Sequence, residues 1–153
     1  MGQIASLLPT GNILLDLDAG SKPRLFDAVG ALFETNQGIA KKVVVDSLQA
    51  REKLGSTGLG QGIAIPHGRI RGLREAQGAF VRLKSPIPFD APDGKPVAQV
   101  FVLLVPEHAT EKHLQLLSEL AQMFSEARFR DSLGVPADAA AMPAVFERWE
   151  PAA

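Results

Sequence analysis

The segment 97–105 constrains the fold more than any other part of the chain. All of its residues except Gln99 are apolar, most are Val, Leu or Phe, and Pro106 follows directly. A short apolar run without helical periodicity predicts a β-strand that is buried on both faces of its sheet. Such a strand needs structure on both sides, so the sequence predicts a layered fold.

Helix-like and strand-like segments alternate along the rest of the chain. Further strands are predicted at 12–17, 63–65 and 79–83, and a proline-broken turn through Pro86, Pro88 and Pro92 follows the last of them. Helices are predicted after a Ser21 cap, over 40–54, after a Thr110 cap over 111–126, and over 138–149, with a short turn at 129–133. The apolar side of the 111–126 helix is assigned to Leu114, Leu117, Leu120, Ala121 and Phe124. This alternation predicts an α/β domain in which helices cover the sheet.

Composition excludes several classes of function. At 153 residues, 46% hydrophobic and 22% charged, the chain has the size and composition of one globular domain spanning 1–153. A net charge of -1 without long charged runs gives no sign of a nucleic-acid surface, and the lack of cysteine excludes disulfides and thiolate sites. No signal peptide and no apolar run of membrane length is seen, so we expect a soluble, cytoplasmic protein with no membrane span.

His67 has the most informative surroundings of the three histidines. It follows a glycine-rich segment, 55–62, and the short strand 63–65, and it is flanked by Pro66 and Gly68. Ligands commonly meet layered α/β proteins at strand ends, and glycine allows close approach of another backbone or an anion. An imidazole there can act as a nucleophile toward phosphorus and then as a leaving group.

The residues before His67 suit an anion. The glycines of 55–62, Gly58 among them, leave backbone N–H groups free to converge, and Ser56 and Thr57 add hydroxyl donors. Arg51, near the end of the preceding helix, offers a planar fork of donors. The glycine spacing fits neither G-x-G-x-x-G nor a Walker A motif, so no nucleotide cofactor is predicted.

Plainer interpretations of the same residues stay open on residue types alone. A glycine-rich turn with one histidine also suits ordinary loop geometry, and Arg51 also suits a cation at a helix C-terminus. Ser56 and Thr57 also suit turn formation. His113, in the first turn of a helix, also suits a surface or packing role, and His108 is expected to be solvated. No metal-ligand spacing is present.

The stretch 51–68, REKLGSTGLGQGIAIPHG, resembles the active-site segment of enzyme IIA domains. The resemblance is to the fructose, mannitol and nitrogen-regulatory class of the bacterial phosphoenolpyruvate-dependent phosphotransferase system (PTS). It continues through 89–90, 103–106 and 112–114, and covers roughly residues 5–150. The Ala- and Pro-rich segment 135–143 departs from the family, which affects partner surfaces rather than the phosphate motif.

The resemblance implies both a fold and a set of roles. The family fold is a three-layer α/β/α sandwich with a mixed central sheet. His67 matches the phosphorylated histidine, His113 a second, supporting histidine, and Arg51 an arginine beside the phosphate. Ser56 and Thr57 match the small hydroxyl pair, and Gly58 and Gly68 complete the expected phosphate-binding set. No cofactor and no metal are expected.

The resemblance also implies partners. Family members take phosphate from a phosphohistidine carrier, HPr or its nitrogen-branch relative NPr. Because the chain has no room for a further transport domain, we expect the stand-alone regulatory type, which acts on target proteins. Two alternatives stay open: a sugar-specific IIA that feeds a fructose- or mannitol-type IIB, and a binding module without turnover. The sequence does not decide between a monomer and a homodimer.

Overall fold

The computed structural model of the chain describes residues 3–108 and 111–149. Over those residues, six strands form one sheet and six α-helices lie around it. In chain order they are α1 (Gln3–Ser6), β1 (Ile13–Leu17), α2 (Lys22–Gln37), α3 (Lys41–Glu52), β2 (Gly58–Gly60), β3 (Ile63–Ala64), β4 (His67–Ile70), β5 (Gln77–Ile87), β6 (Val97–Pro106), α4 (Glu111–Ser125), α5 (Ala127–Ser132) and α6 (Met142–Arg148). Short 3-10 turns lie at Thr10–Asn12 and Ala139–Ala141. Over the described ranges, no helix is both long and apolar enough to cross a membrane.

The central sheet is mixed. Its strand order is β1-β5-β6-β3-β2, and β4 also pairs with β6. β5 and β6 pair antiparallel, whereas β1 runs parallel to β5, and β3 and β4 run parallel to β6. The predicted strand 97–105 is therefore the inner strand on which both halves of the sheet depend.

Both faces of β6 are buried, as its composition predicts. Phe101, Leu103 and Val105 point into one apolar cluster, and Val100, Val102 and Leu104 point into the other. Helices α2 and α3 supply the cover on the second face through Leu25, Phe26, Val29, Phe33, Val44 and Leu48. The first face is covered mainly from α4, α5 and α6, with Ile4 of α1. The prediction of helices on both sides of a mixed sheet is confirmed.

β3 and β4 are two pieces of one interrupted strand. Ile63 pairs with Gln99 and His67 with Leu103, so both pieces keep the same register against β6. The break falls where Pro66 has no N–H to donate, although its carbonyl still accepts from Leu103 N at 3.0 Å. His67 was expected just past a strand, but it begins β4, a strand that the sequence prediction missed.

Two turn predictions were wrong in part. The glycine-rich segment 55–62 is not all loop, because Gly58–Gly60 within it form β2, which pairs antiparallel with β3 just beyond it. Pro86 does not lie in the turn but inside β5, where the pairing with β6 shifts register between Arg82 and Ile87. A proline is tolerated there because the ladder is already interrupted.

Helix α2 follows its predicted signals closely. Ser21 Oγ accepts the Arg24 N–H at 3.4 Å, proline occupies the first turn, and Gly38 ends the helix with φ of 70°. The α3 prediction ran two residues too long, since α3 ends at Glu52. The helix predicted over 138–149 is shorter than expected: α6 begins at Met142 with Pro143 in its first turn, and a 3-10 turn precedes it.

The apolar stripe of α4 differs from the predicted one. Leu120 and Phe124 are buried as expected, but Leu114 and Ala121 are exposed. The buried stripe is completed by Leu116 and Met123 instead. Helical periodicity fits both the predicted and the observed apolar stripe, and packing of α4 against α1 and α5 determines which one is buried. The predicted cap, Thr110, lies outside the described residues.

Candidate active site

The imidazole of His67 is half-buried, and both of its ring nitrogens have a partner. Nδ1 lies 2.9 Å from the backbone oxygen of Ile65, and Nε2 lies 3.2 Å from Nε of Arg51. A carbonyl oxygen only accepts and a guanidinium only donates. Nδ1 must therefore carry the hydrogen, and Nε2 holds its lone pair toward Arg51. This arrangement selects one tautomer of the neutral ring.

Arg51 connects the end of α3 to the imidazole. It lies in the last turn of the helix, and its Nη1 donates to the Gly55 carbonyl at 2.8 Å while Nε faces His67. The sequence left open whether Arg51 is a cation at a helix C-terminus or part of an anion site. The structure shows features of both, because Arg51 binds a carbonyl just past the helix and also faces His67. A guanidinium held at two points is already oriented for a further anion.

The pKa of His67 is lowered from its ordinary value of 6.5. Burial is the main cause, because it disfavours the charged ring, and the positive charge of Arg51 acts in the same direction. The hydrogen bond to Ile65 and the charge of Glu52 oppose that change. The balance keeps the ring neutral at neutral pH, and only the neutral ring has a lone pair for attack.

Four of the predicted site residues line one cavity of about 700 Å³: Arg51, His67, Gly68 and His113. α3 and β4 supply the first three, and α4 brings His113 from the other side. The rest of the lining includes Asp46, Ser47 and Arg69 and a set of apolar side chains, of which Leu54 is 84% exposed and Leu114 is 64% exposed. The cavity thus combines a few polar groups with an open apolar margin.

Gly68 is explained by close packing. A Cβ placed there would lie 2.2 Å from Ser47 Oγ and 3.3 Å from the Ser47 backbone carbon. Ser47 Oγ in turn donates to the Arg69 carbonyl at 2.9 Å. The glycine therefore lets α3 approach β4 and brings Arg51 within reach of His67.

The remaining predicted phosphate ligands lie outside the lining of this cavity. Ser56 Oγ donates to the Phe89 carbonyl at 2.6 Å and accepts the Gly58 N–H at 3.0 Å. The Gly55 N–H donates to the Glu52 carbonyl at 3.1 Å. The N–H groups of Gly55 and Gly58, which were expected to converge on an anion, are thus engaged within the protein. A phosphate role for Ser56, Thr57 and Gly58 stays a prediction.

Glu52 is a buried carboxylate beside the candidate site, and the sequence prediction gave it no role. Its carboxylate, 7% exposed, accepts the N–H and the hydroxyl of Thr57 through Oε1, and Lys22 Nζ lies 2.8 Å from Oε2. A signal was present, because an acidic residue in the last turn of a helix opposes the helix dipole and needs another reason to be there.

The other candidates add nothing to this cavity. The side chain of His108 is 96% exposed, as predicted, and it lies beside Glu107. Within 3–108 and 111–149, no group of three or more His, Asp or Glu side chains could hold a metal ion. Asp90 and Asp93 serve the loop before β6; Asp93 accepts the N–H groups of Gln61 and Lys95.

Comparison with known proteins identifies the family and agrees with the fold. Residues 6–148 match the family model described as phosphoenolpyruvate-dependent sugar phosphotransferase system, EIIA 2. A nitrogen regulatory protein of Pseudomonas aeruginosa is 43% identical over 134 residues, which is 87% of each chain. The crystal structure of nitrogen regulatory protein IIA-Ntr from Neisseria meningitidis superposes with a TM-score of 0.88 at 51% identity, covering 93% of this chain and 97% of that one.

A more distant structure shares the fold alone. IIA mannitol from Escherichia coli gives a TM-score of 0.73 at 18% identity, covering 90% of this chain and 96% of that one. The family match and the identity to the Pseudomonas relative establish membership: the chain belongs to the EIIA type 2 family of the phosphoenolpyruvate-dependent phosphotransferase system.

Proposed function

We propose that this protein is a phosphocarrier that accepts a phosphoryl group on Nε2 of His67 and signals its phosphorylation state to target proteins. The observation that carries the proposal is the pair of hydrogen bonds that leaves the Nε2 lone pair facing Arg51, while Nδ1 is engaged by the Ile65 carbonyl. A nucleophilic nitrogen beside a fixed cation suits attack on an anionic phosphoryl group.

The transfer is a single displacement at phosphorus. The Nε2 lone pair of His67 is released when Arg51 Nε transfers its hydrogen bond to an incoming phosphoryl oxygen. The lone pair then attacks the phosphorus of a phosphohistidine on the donor, HPr or NPr, and forms a new N–P bond. The donor N–P bond breaks, and its electron pair returns to the donor imidazole. No proton needs to leave His67, because the Nδ1 hydrogen stays on its bond to Ile65.

Charge stabilisation is assigned to Arg51 and His113, two of the three other basic residues that line the cavity. During transfer the charge spreads over three equatorial oxygens, so fixed donors on different sides are the effective groups. Arg51 approaches from α3 and His113 from α4, and both line the cavity of His67. Gly68 contributes by allowing the close approach of α3.

The proposed output is a change in protein contacts. A phosphoryl group adds nearly two negative charges and three acceptor oxygens at neutral pH. These would appear inside an apolar margin that includes Leu54 and Leu114. A partner that packs on this margin would then bind one state better than the other, which is what a switch requires.

The relatives favour a regulatory role over sugar transport. The Pseudomonas and Neisseria proteins named for nitrogen regulation are 43% and 51% identical, whereas the mannitol IIA is 18% identical and supports the fold alone. A sugar-specific IIA that feeds a fructose- or mannitol-type IIB is the second candidate. This second candidate requires onward transfer of phosphate to such a IIB. We propose a cytoplasmic location for the protein under either function.

Labelling from phosphoenolpyruvate tests the acceptor. The protein is incubated with labelled phosphoenolpyruvate, enzyme I and HPr or NPr, and we expect acid-labile phosphate on the wild type. His67→Ala should carry none, and His108→Ala, which alters a solvated histidine, should label normally. Undiminished labelling of His67→Ala would refute the assignment. Failure of the wild type to label with an active donor would favour a binding module without turnover.

A further inference from the structure

The carboxylate of Glu52 is the first link of a chain of hydrogen bonds that ends at His67. Oε1 accepts both the N–H of Thr57, at 3.0 Å, and its hydroxyl. Thr57 is itself buried, at 6% exposure. Two bonds from one residue to a buried carboxylate fix the orientation of that residue closely.

Thr57 passes this orientation to the break between β3 and β4. Its carbonyl accepts the N–H of Ile65 at 3.0 Å, and the carbonyl of Ile65 is the partner of His67 Nδ1 at 2.9 Å. Ile65 therefore pairs with Thr57 through its N–H and with the imidazole through its oxygen. The link from Glu52 to His67 is therefore one of position: the bonds to Glu52 place Thr57, and Thr57 places the Ile65 carbonyl that holds the imidazole.

Lys22 holds both sides of the loop that carries Thr57. Its Nζ lies 2.8 Å from Glu52 Oε2 and 4.3 Å from the ring centroid of Phe89. The Phe89 carbonyl accepts the hydroxyl of Ser56, the neighbour of Thr57. One cation at the start of α2 thus fixes the two groups against which the loop is bonded.

The cluster also acts on His67 through its charge. The negative charge of Glu52 raises the pKa of His67, against the larger lowering by burial. Removing that charge should therefore lower the pKa of His67 further.

We infer that Glu52, held by Lys22, is a positioning residue that keeps His67 in the tautomer with hydrogen on Nδ1. The inference rests on the proposed function for its meaning, since that tautomer leaves Nε2 as the nucleophile. Glu52 itself touches no phosphoryl group and acts through Thr57 and Ile65.

The test compares Glu52→Gln with Asp27→Asn in protein labelled with 15N-histidine. The control breaks the Lys41–Asp27 ion pair, 2.9 Å long, which joins the same two helices away from the loop. In the wild type at a pH above the His67 titration, 15N shifts should show hydrogen on Nδ1 alone. Glu52→Gln should show a mixture of tautomers and a lower pKa of His67, and Asp27→Asn should match the wild type.

The labelling assay supplies a second readout. We expect the maximal rate of phosphoryl acceptance by Glu52→Gln to fall about tenfold, the lower end of the losses that follow mutation of groups that orient metal-ligating histidines. The apparent KM for the donor should change by less than about twofold, because the apolar docking margin is untouched. Asp27→Asn should retain both values.

Each outcome decides a separate question. A wild-type tautomer and rate in folded Glu52→Gln would overturn the inference, even if the wild type labels normally. A tautomer mixture in Glu52→Gln, together with a wild type that never labels with an active donor, would refute the proposed function and leave the positioning role intact. If Glu52→Gln fails to fold by circular dichroism, Lys22→Met decides: a tautomer mixture supports the inference, and unmixed Nδ1–H overturns it.

Discussion

Two regions of this protein are held together by different means. Around α6, the ring of Phe146 lies 5.4–6.4 Å from those of four other phenylalanines: Phe80, Phe101, Phe124 and Phe129. Beside α3, the loop 55–58 is held instead by a few directional hydrogen bonds, two from Thr57 to Glu52 and one from Ser56 to the Phe89 carbonyl. The first region is held by many apolar contacts around one ring, whereas the second is held by a small number of polar hydrogen bonds.

Because the two regions are held by different contacts, we expect one to govern the stability of the fold and the other to govern the reactivity of His67. Dispersion and burial in the aromatic cluster add over many contacts, so that region should govern the free energy of unfolding. The polar region has few contacts but determines orientation, so changes there should alter the reactivity of His67 more than the stability of the fold. The following predictions test that separation.

Phe146→Ala should cause the largest loss of stability. It removes the central ring of the cluster, and large core truncations cost about 3–5 kcal/mol. Chemical denaturation measures the loss, and Phe146→Leu, which fills most of the space, should cost clearly less. In the folded variant, the 15N shifts of His67 should match the wild type. A shifted tautomer would show that the two regions are coupled.

Arg51→Ala should affect chemistry with a smaller change in stability. Loss of one preorganised charge donor lowers phosphoryl acceptance about a hundredfold, or about 2.7 kcal/mol in the barrier. The pKa of His67 should rise, because the charge of Arg51 is one of the causes that lower it. Rates from rapid quench and a 15N titration measure both effects. Arg71→Ala, an exposed arginine beyond β4, is the control; an equal loss there would mean a general charge effect.

Ser56→Ala distinguishes a loop contact from a phosphate ligand. The change leaves the Phe89 carbonyl and the Gly58 N–H without their hydroxyl partner, at a cost of about 1 kcal/mol. Thermal unfolding should show that loss. If Ser56 has only the loop role, the apparent KM and the maximal rate of labelling should stay near wild type. A much larger loss of rate than of stability would assign the hydroxyl to phosphate.

The smallest effect expected is on the pH dependence of stability. Because the folded-state pKa of His67 lies below 6.5, the unfolded chain takes up a proton first as pH falls. His67 should therefore reduce the free energy of unfolding as pH decreases through 6.5, and the loss ends below the folded-state pKa. Urea titrations of wild type and His67→Gln across pH 8 to 5 should diverge in that direction; parallel curves would contradict it.

Much of the architecture follows from local patterns. The apolar run in β6 predicted a strand covered on both faces, and Ser21 with Gly38 marked the two ends of α2, because these signals act within a few residues. β4 was missed because His67, Gly68 and Arg69 have no strand pattern of their own. It forms because β6 offers a parallel partner already in register.

The candidate site was predictable only in part. The motif around His67 brought out Arg51 and His113, and all three line one cavity, although their catalytic roles stay predictions. The assignment of 1–153 to a single domain likewise stays a prediction. Sequence reasoning could not find the link from Lys22 to Glu52, because thirty residues separate the two and only the packing of α2 on α3 joins them.

The interruption between β3 and β4 also limits how the chain can vary in length. Both pieces are fixed in register by the same partner strand, so the connection through Ile65 and Pro66 has no slack. Inserting or deleting one residue there would reverse the alternation of the side chains that follow, turning the imidazole of His67 to the opposite face of the sheet. Substitutions can tune this site, but changes of length at 65–66 would remove it.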